Sequence, residues 1–361
     1  MAELTAKQRM AIPRQSMPEQ EAFERRANFF EVAQGLTPEM ALQEAERCLQ
    51  CKNEPCVRGC PVEVPIPQFI MALREGDAAA IIETGTTHTA PLILEALAER
   101  GLSPQQVRYV MPTHVHLDHA CGAGTLIAQC PNAQLVIHPR GARHMIDPSK
   151  LVAGTIAVYG EEKFHELYGD LVPVPEKRVI EAPDNFELSL NGRTFRFLDT
   201  PGHALHHFSV HDLGSNGIFT GDTFGLSYPN LATRKGRFIF ATTTPVQFDP
   251  DQLRASIDRL MALEPDYFYL THYGRLEASR ELADQLRTSI DDFVNIALQE
   301  KKTPNRAAVI GSRILDYLVA GLETMECDCD EEACRDWLAM DADLNAQGLD
   351  VWLRRQEKNA A

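Results

Sequence analysis

The sequence predicts an α/β fold behind a short helical module, on three observations. Residues 113–120 read THVHLDHA directly after the apolar run VRYVMP, a buried-strand pattern that ends in a polar loop. From Ile81 onward strand and helix patterns alternate, and polar residues recur where a strand gives way to a turn, the place where α/β folds keep their chemistry. Near the front, RCLQCKNEPCVRGCPVEVPIP packs four cysteines into turn-forming sequence.

The THVHLDHA loop carries three histidines and an aspartate. Imidazoles at i and i+2 leave a strand end on the same side, so His114 and His116 can share one metal ion. Asp118 and His119, just past the turn, reach a second. Neutral imidazole and carboxylate suit zinc, with iron or manganese as substitutes. Three later segments supply what this loop lacks. LDTPGHALHH presents His203 after the strand TFRFLDT, GIFTGDTFG presents Asp222 at the end of another strand, and DYFYLTHYG presents His272 after a third.

HxHxDH, a His after a TPG turn, an Asp in a TGD turn and a late His together resemble the metallo-β-lactamase superfamily, over about residues 81–298. The resemblance implies a four-layer αββα sandwich with the metals at one edge of its two sheets. It implies that His114, His116 and His203 hold one metal, that Asp118, His119 and His272 hold the other, and that Asp222 bridges them. Two zinc ions (iron or manganese in their place) would lower the pKa of bound water to about 7 and polarise the oxygen under attack. Asp118 is then both ligand and catalytic residue, orienting or receiving the proton. Hydrolysis is the expected reaction, on a small ester, thioester or lactone, in the manner of hydroxyacylglutathione hydrolases.

The remaining histidines, His88, His138, His144, His165, His206, His207 and His211, match no motif position; His206 and His207 lie close enough to His203 to support it from behind. Tyr228 and the basic run Arg234, Lys235, Arg237 follow Asp222, either to touch an anionic substrate or, for the basic run, as a solvated loop. The stretches around 145–175 and 226–245 read as loops over the metals. Tyr159, Tyr168 and Tyr228 are equally candidates to line a pocket and packing residues.

At the front, Cys48, Cys51, Cys56 and Cys60 have the spacing C-x2-C-x4-C-x3-C-P. Thiolates this close on turns can wrap an iron–sulfur cluster, and zinc is the chemical alternative. The surrounding RRANFFEVAQGLTPEMALQEAERCLQC and GCPVEVPIPQFI resemble the N-terminal cluster domain of the glutamate synthase small subunit, a domain that dihydropyrimidine dehydrogenase also carries, over about residues 9–77. That resemblance implies one [4Fe–4S] cluster, without the second cysteine group or the nucleotide-binding domains that normally follow. After Gly76-Asp77 the chain passes through three alanines into IIETG, with Glu83 where the second family usually has Asp. PQFIMALREGD reads as a helix, so the sandwich is expected to lack its first strand pair and to leave a sheet edge unpaired. The expected division is a partial iron–sulfur-type domain at 1–77, a metallo-β-lactamase-like domain at 78–300 and a helical C-terminal extension at 301–361.

The formal net charge of −16 argues against nucleic acid as a partner, because phosphate binding needs a basic surface. No run approaches the roughly 20 apolar residues of a membrane span. Nine cysteines without a signal peptide fit a reducing cytoplasm. A small-molecule substrate is expected, with a homo-oligomer or a redox partner protein as the possible macromolecular contact. Ser103-Pro104 opens a capping box, Asn191-Gly192 marks a hairpin, and Asp249-Pro250 starts a helix. The tail reads as two amphipathic helices around CDCDEEAC, whose Cys327, Cys329 and Cys334 read as free cysteines on a solvated turn or as metal ligands; Cys121 and Cys130 read as buried packing residues. Two other functions remain open at this level. One is a mononuclear iron enzyme resembling persulfide dioxygenases, using His114, His203 and Asp222. The other is a non-catalytic iron–sulfur docking module.

Overall fold

The computed structural model describes residues 4–26, 32, 36–49, 51, 78–243 and 247–360. The chain divides into two compact units, Met1–Ala78 with Leu190–Gly192, and Ala79–Ser189 with Arg193–Ala361.

In the first unit three short helices are described: α1 (Ala6–Ala11), α2 (Ala22–Arg25) and α3 (Pro38–Glu46). Thr5 caps α1 in a capping box with Gln8, and Thr37 caps α3 ahead of Pro38. Buried Arg9 is satisfied by the Glu46 carboxylate and carbonyl, each 3.0 Å away, and so ties α1 to the end of α3. Cys48 is half-buried and Cys51 exposed. Cys56, Cys60 and the helix expected over PQFIMALREGD lie outside the described residues, as does the place where a preceding strand pair would fall.

The second unit is built on two sheets. β1 (Ala79–Ile82), β2 (Val107–Met111), β3 (Gln134–Ile137) and β4 (Val179–Glu181) form a parallel sheet in that order. Its crossovers carry α4 (Ala90–Glu99), α5 (Leu117–Ala120), α6 (Ala123–Gln129) and α7 (Pro139–Ile146). Val107, Val110, Leu126, Ile127, Leu135 and Ile137 form one core between that sheet and its helices. Cys121 and Cys130 are buried at either side of α6, as their packing role requires.

The second sheet is mixed. β5 (Glu187–Leu190), β6 (Arg193–Asp199), β7 (Phe208–Asp212), β8 (Gly217–Gly221), β9 (Tyr267–Leu270) and β10 (Gly274–Glu277) stand in the order β10-β9-β8-β7-β6-β5. Only β8 and β9 run parallel among the registered pairs, because the helix α10 (Pro250–Met261) returns the chain between them. Asp249 caps α10 by accepting from Asp251 N and Gln252 N. Asn191 and Gly192 both have positive φ, 50° and 77°, as the tight hairpin between β5 and β6 demands.

Residues 149–168, read from sequence as part of a loop, are instead two helices, α8 (Ser149–Tyr159) and α9 (Glu161–Tyr168), broken at Gly160 where φ is 83°. Phe164 is the anchor: it is buried against Leu117 and Cys121, with Tyr168 packed alongside. The chain ends in α11 (Arg280–Gln299), α12 (Arg306–Thr324) and α13 (Glu331–Ala360). Ile310, Ile314, Leu318 and Leu322 of α12 and Leu338, Ala342, Leu349 and Leu353 of α13 share one core with Phe268 of β9, Ile257 of α10 and Phe293 of α11. The C-terminal extension therefore packs on the second sheet's helical layer.

Candidate metal centre

β1, β2, β6, β8 and β9 all end beside one cluster of histidines and carboxylates, and each delivers polar side chains at its end. The strand β2 ends at Met111, and Thr113, His114 and Val115 stay fully buried as the backbone turns into α5. Gly202 and Gly221 make the other turns possible. Gly202 has φ 128° and lies on the backbone of Leu253, so His203 enters the cluster from directly under α10; Gly221 has φ 52° and releases Asp222 from the end of β8.

The ring nitrogens and carboxylate oxygens form a continuous chain of close approaches. His114 Nε2 lies 2.6 Å from His116 Nδ1, and His116 Nδ1 lies 3.1 Å from His203 Nε2. Asp222 sits at the centre, with Oδ2 3.3 Å from His203 Nε2 and Oδ1 3.3 Å from His119 Nε2 and 3.5 Å from His272 Nε2. Asp118 Oδ2 completes the far side at 3.5 Å from His119 Nε2 and 3.6 Å from His272 Nε2. Three ligand-competent groups result: His114–His116–His203, His114–His119–Asp222 and Asp118–His119–His272. All seven residues singled out from the sequence converge here.

The donor set fits a metal ion better than it fits itself. His119 Nδ1 and Nε2 and Asp222 Oδ1 are buried, and although carboxylate or imidazole atoms stand about them none meets hydrogen-bond geometry. Buried polar atoms without partners are rare, and His119 Nε2 and Asp222 Oδ1 stand 3.3 Å apart, as two ligands on one ion would. Ligands on one zinc with bonds of about 2.0–2.1 Å stand about 3.3 Å apart in a tetrahedron, close to the separations found around Asp222. Nitrogen and carboxylate oxygen are donors for zinc, iron or manganese, whereas magnesium and calcium prefer oxygen alone.

The electrostatics agree. Burial pushes His114 and His116 well below the ordinary imidazole range, and the neighbouring imidazoles add to it, so both keep free lone pairs. His203 is lowered too, by burial opposed by Asp222. His119 moves the other way: burial disfavours its charge, but Asp222, Asp118 and Glu83 outweigh it and hold it well above its usual value. Burial likewise opposes ionisation of Asp118 and Asp222, but adjacent His119 keeps both below the usual carboxylate range. Three carboxylates around one buried point demand positive charge, and without an ion His119 has to supply it.

A second ring of residues holds these groups, and most of it was invisible in the sequence. Glu83, at the end of β1 with φ 66°, receives hydrogen bonds from Thr113 Oγ1 at 2.5 Å and Thr271 Oγ1 at 3.0 Å, and stands 3.2 Å from His119 Nδ1. The next residue, Thr84, donates through both N and Oγ1 to the His119 carbonyl. His207 is fully buried; its Nε2 accepts from Asp222 N at 3.2 Å while Nδ1 faces Thr200 and Thr223. His203 Nδ1 faces the Thr242 carbonyl at 3.4 Å. The neighbouring Thr243 donates to Asn345 of α13, from N at 2.5 Å and from Oγ1 at 2.8 Å, so the C-terminal helix braces the segment behind His203. His206 is held low, to about 3, by burial and by His144, and accepts from Val115 N.

Asp118 is half exposed and marks the mouth of the site. Nearby, the Tyr228 ring lies tilted against Tyr273 at 4.3 Å and against Trp337 at 5.8 Å, and its hydroxyl donates to Asp341 of α13 at 2.7 Å. The basic run does not reach this mouth as free charge. Arg234 pairs with Asp328, Lys235 with Glu326, and Arg237 donates to the Ser227 carbonyl. His138, His211 and His88 are likewise engaged, with Asp199, Asn216 and the His165 carbonyl.

Fold and site together define a metal-binding α/β sandwich, and comparison with known proteins gives it a family. The metallo-beta-lactamase superfamily matches residues 64–272, and the chain belongs to that superfamily. The dihydropyrimidine dehydrogenase domain II family, 4Fe-4S cluster, matches residues 25–94. The chain is 25% identical over 230 residues to the metallo-beta-lactamase fold-containing protein ST1585 of Sulfurisphaera tokodaii, covering 63% of this chain and 80% of that protein. It is 23% identical over 150 residues to a beta-lactamase-like protein 2 homolog of Caenorhabditis elegans, 42% of each. The crystal structure of ST1585 superposes with a TM-score of 0.50 at 21% identity, over 76% of this chain and 89% of that one. A metallo-beta-lactamase family protein, TTHA1429, from Thermus thermophilus superposes at 0.53 with 20% identity, over 78% and 86%. These solved structures establish the fold, and the superfamily supports a metal-dependent, hydrolase-type function. No helix among the described residues is long and apolar enough to cross a membrane.

Proposed function

We propose that this chain is a two-metal hydrolase acting on a small ester, thioester or lactone. The observation that carries the reading is the position of Asp222, with one carboxylate oxygen facing His203 and the other facing His119 and His272. A single-ion site using His114, His203 and Asp222 would leave His116, Asp118, His119 and His272 without employment in the same cluster. His114, His116 and His203 would hold one ion and Asp118, His119 and His272 the other, with Asp222 between them. Zinc is the ion the donor set fits most simply, and such ions supply Lewis acidity and lower the pKa of water at neutral pH.

The protein's own groups do the rest. Asp118, ionised and half exposed, is placed to accept or orient a proton at the mouth. Glu83 and His207 fix the imidazole of His119 and the backbone of Asp222, which keeps the site preorganised. The aromatic rings of Tyr228, Tyr273 and Trp337 offer an apolar wall to a small acyl substrate of the hydroxyacylglutathione type. In the front domain, taken as 1–77, Cys48, Cys51, Cys56 and Cys60 would hold one [4Fe–4S] cluster of the glutamate synthase kind, and a redox partner protein would dock there in the cytoplasm. The family match over residues 25–94 supports a 4Fe-4S cluster in this region.

The test is a panel of thioester, lactone and phosphodiester substrates offered to zinc-loaded protein and to Asp118→Asn. Turnover of an acyl substrate that falls at least a hundredfold in the variant, with metal retained, is the expected result. Equal turnover by both proteins, or none on any acyl substrate by fully loaded parent, would reject the reading.

A further inference from the structure

A cluster of three thiols, Cys327, Cys329 and Cys334, lies away from the histidine site, at the turn between α12 and α13. Its sequence, CDCDEEAC, allows a solvated turn with free cysteines or a set of metal ligands; the cysteines are free, and the turn is only partly solvated. Cys334 is 3% exposed and belongs to the core, while Cys327 and Cys329 are half-buried and pack against the same core. Cys334 Sγ lies 4.0 Å from Cys327 Sγ and 4.0 Å from the Cys329 carbonyl oxygen. Cys329 packs against Cys327, its Sγ facing the Asn230 carbonyl at 3.4 Å.

The backbone holds these thiols in place. Glu326 has φ 59°, which turns the chain so that Cys327 pairs with Thr233 across an isolated bridge. Asp328 N donates to the Ala232 carbonyl at 3.0 Å, and Arg234 N and Lys235 N donate back to Glu326 and Met325. Ion pairs from Arg234 to Asp328 and Lys235 to Glu326 clamp the two turns from outside. Asp330 Oδ1 accepts from Ala333 N, which starts α13 and sets the direction of Cys334.

We propose that Cys327, Cys329 and Cys334 form a second metal site, for a thiophilic ion of the zinc class, which fastens the start of α13 to the 231–236 turn. With metal–sulfur bonds of about 2.3 Å, two thiolates on one ion stand about 3.8–4.0 Å apart, and Cys327 and Cys334 are already at that separation. A disulfide would need the sulfurs at about 2.05 Å. The third sulfur, that of Cys329, faces the Asn230 carbonyl and would have to turn from it to close on the ion. Soft thiolate donors select zinc or a softer ion over magnesium or calcium. The histidine site contributes no ligand to this one, and the two can be loaded and lost independently.

The experiment uses the full chain, reduced and purified without oxygen. It measures alkylation of each cysteine by mass spectrometry, with and without zinc. Zinc is expected to slow modification of Cys327 and Cys329 at least tenfold, and Cys334→Ser is expected to abolish that protection. Because Cys334 is buried and its variant can lose the fold, Cys329→Ser, at a half-buried position, provides the second reading: protection at Cys327 should fall with it. Cadmium binding gives an independent signature, an ultraviolet thiolate-to-metal charge-transfer absorption smaller in Cys329→Ser than in the parent. Absence of zinc protection in the parent would overturn the proposal. So would protection and charge-transfer absorption that are unchanged in Cys329→Ser.

Discussion

Gly221→Ala is the substitution that tests how rigidly the metal centre is held from behind. Gly221 ends β8 with φ 52°, immediately before Asp222. A methyl there would stand 2.5 Å from Thr113 Oγ1 and closer still to His207 Nε2, where ordinary contact needs 3.4–4 Å. Neither neighbour has room to give way. His207 is fully buried among Thr200, Thr223 and the Asp222 amide, and Thr113 is fixed by Glu83. The left-handed backbone costs an L-residue about 1–2 kcal/mol, and overpacking adds about 1–3 kcal/mol, for a total of about 2–5 kcal/mol. Gly101→Ala is the control, since Gly101 has φ 72° but open space around its Cα. It should lose only the backbone part. Urea unfolding of parent and both variants, with metal content read in parallel, separates the two costs. The expected gap between variants is about 1–3 kcal/mol, with weaker metal retention in Gly221→Ala alone. Equal stability and equal metal retention in both variants would refute the idea that His207 and Thr113 form an unyielding support.

The other predictions concern single groups. Glu83→Gln keeps the shape but weakens the pull on His119, and a loss of roughly 10–100-fold in metal affinity is expected by chelator competition. Asn345→Ala removes the acceptor for Thr243 and should cost about 1–3 kcal/mol in urea unfolding, showing that α13 supports the segment behind His203. Asp212 is buried, which raises its pKa, but Arg193 and Ser215 outweigh this and lower it. A depressed carboxyl contributes stability that is complete above its unfolded value and is lost as pH falls through the folded one. The stability gap between parent and Asp212→Asn should therefore be widest at neutral pH and narrow below the ordinary carboxylate range; a gap that widens on acidification would contradict the sign. Removing metal with a chelator should lower the unfolding midpoint at pH 7, and zinc should restore it, because an ion that binds only the folded state stabilises by mass action.

The seven converging residues were legible because each sits within a few residues of a strand end, where local spacing decides direction. THVHLDHA, TPGH, TGD and LTH needed no knowledge of the tertiary fold to be picked out. Their supports were legible only in part. The sequence placed His207 behind His203, but its nitrogen accepts from the Asp222 amide, because β7 pairs antiparallel with β8. Glu83 stands out in the sequence only as an unusual residue at its motif position, whereas its carboxylate joins β1 to Thr113, His119 and Thr271, the last far along the chain. The helices at 149–168 escaped because Gly160 interrupts a weakly amphipathic stretch whose anchor, Phe164, gains meaning only against Leu117 and Cys121. The tail cysteines looked like a solvated turn because neighbouring acids dominate the composition, and the core beneath them is supplied by residues distant in sequence. The basic run after Tyr228 read as free charge for the same reason, its acidic partners lying about ninety residues later.

The most direct measurement is elemental analysis of the purified chain beside Asp222→Ala and His116→Ala. The account predicts two equivalents of zinc, iron or manganese that are lost together in Asp222→Ala, with at least one lost in His116→Ala, while any metal on the cysteines stays unchanged. Identical metal content in the parent and in both variants would contradict it, because the seven converging side chains would then hold no ion.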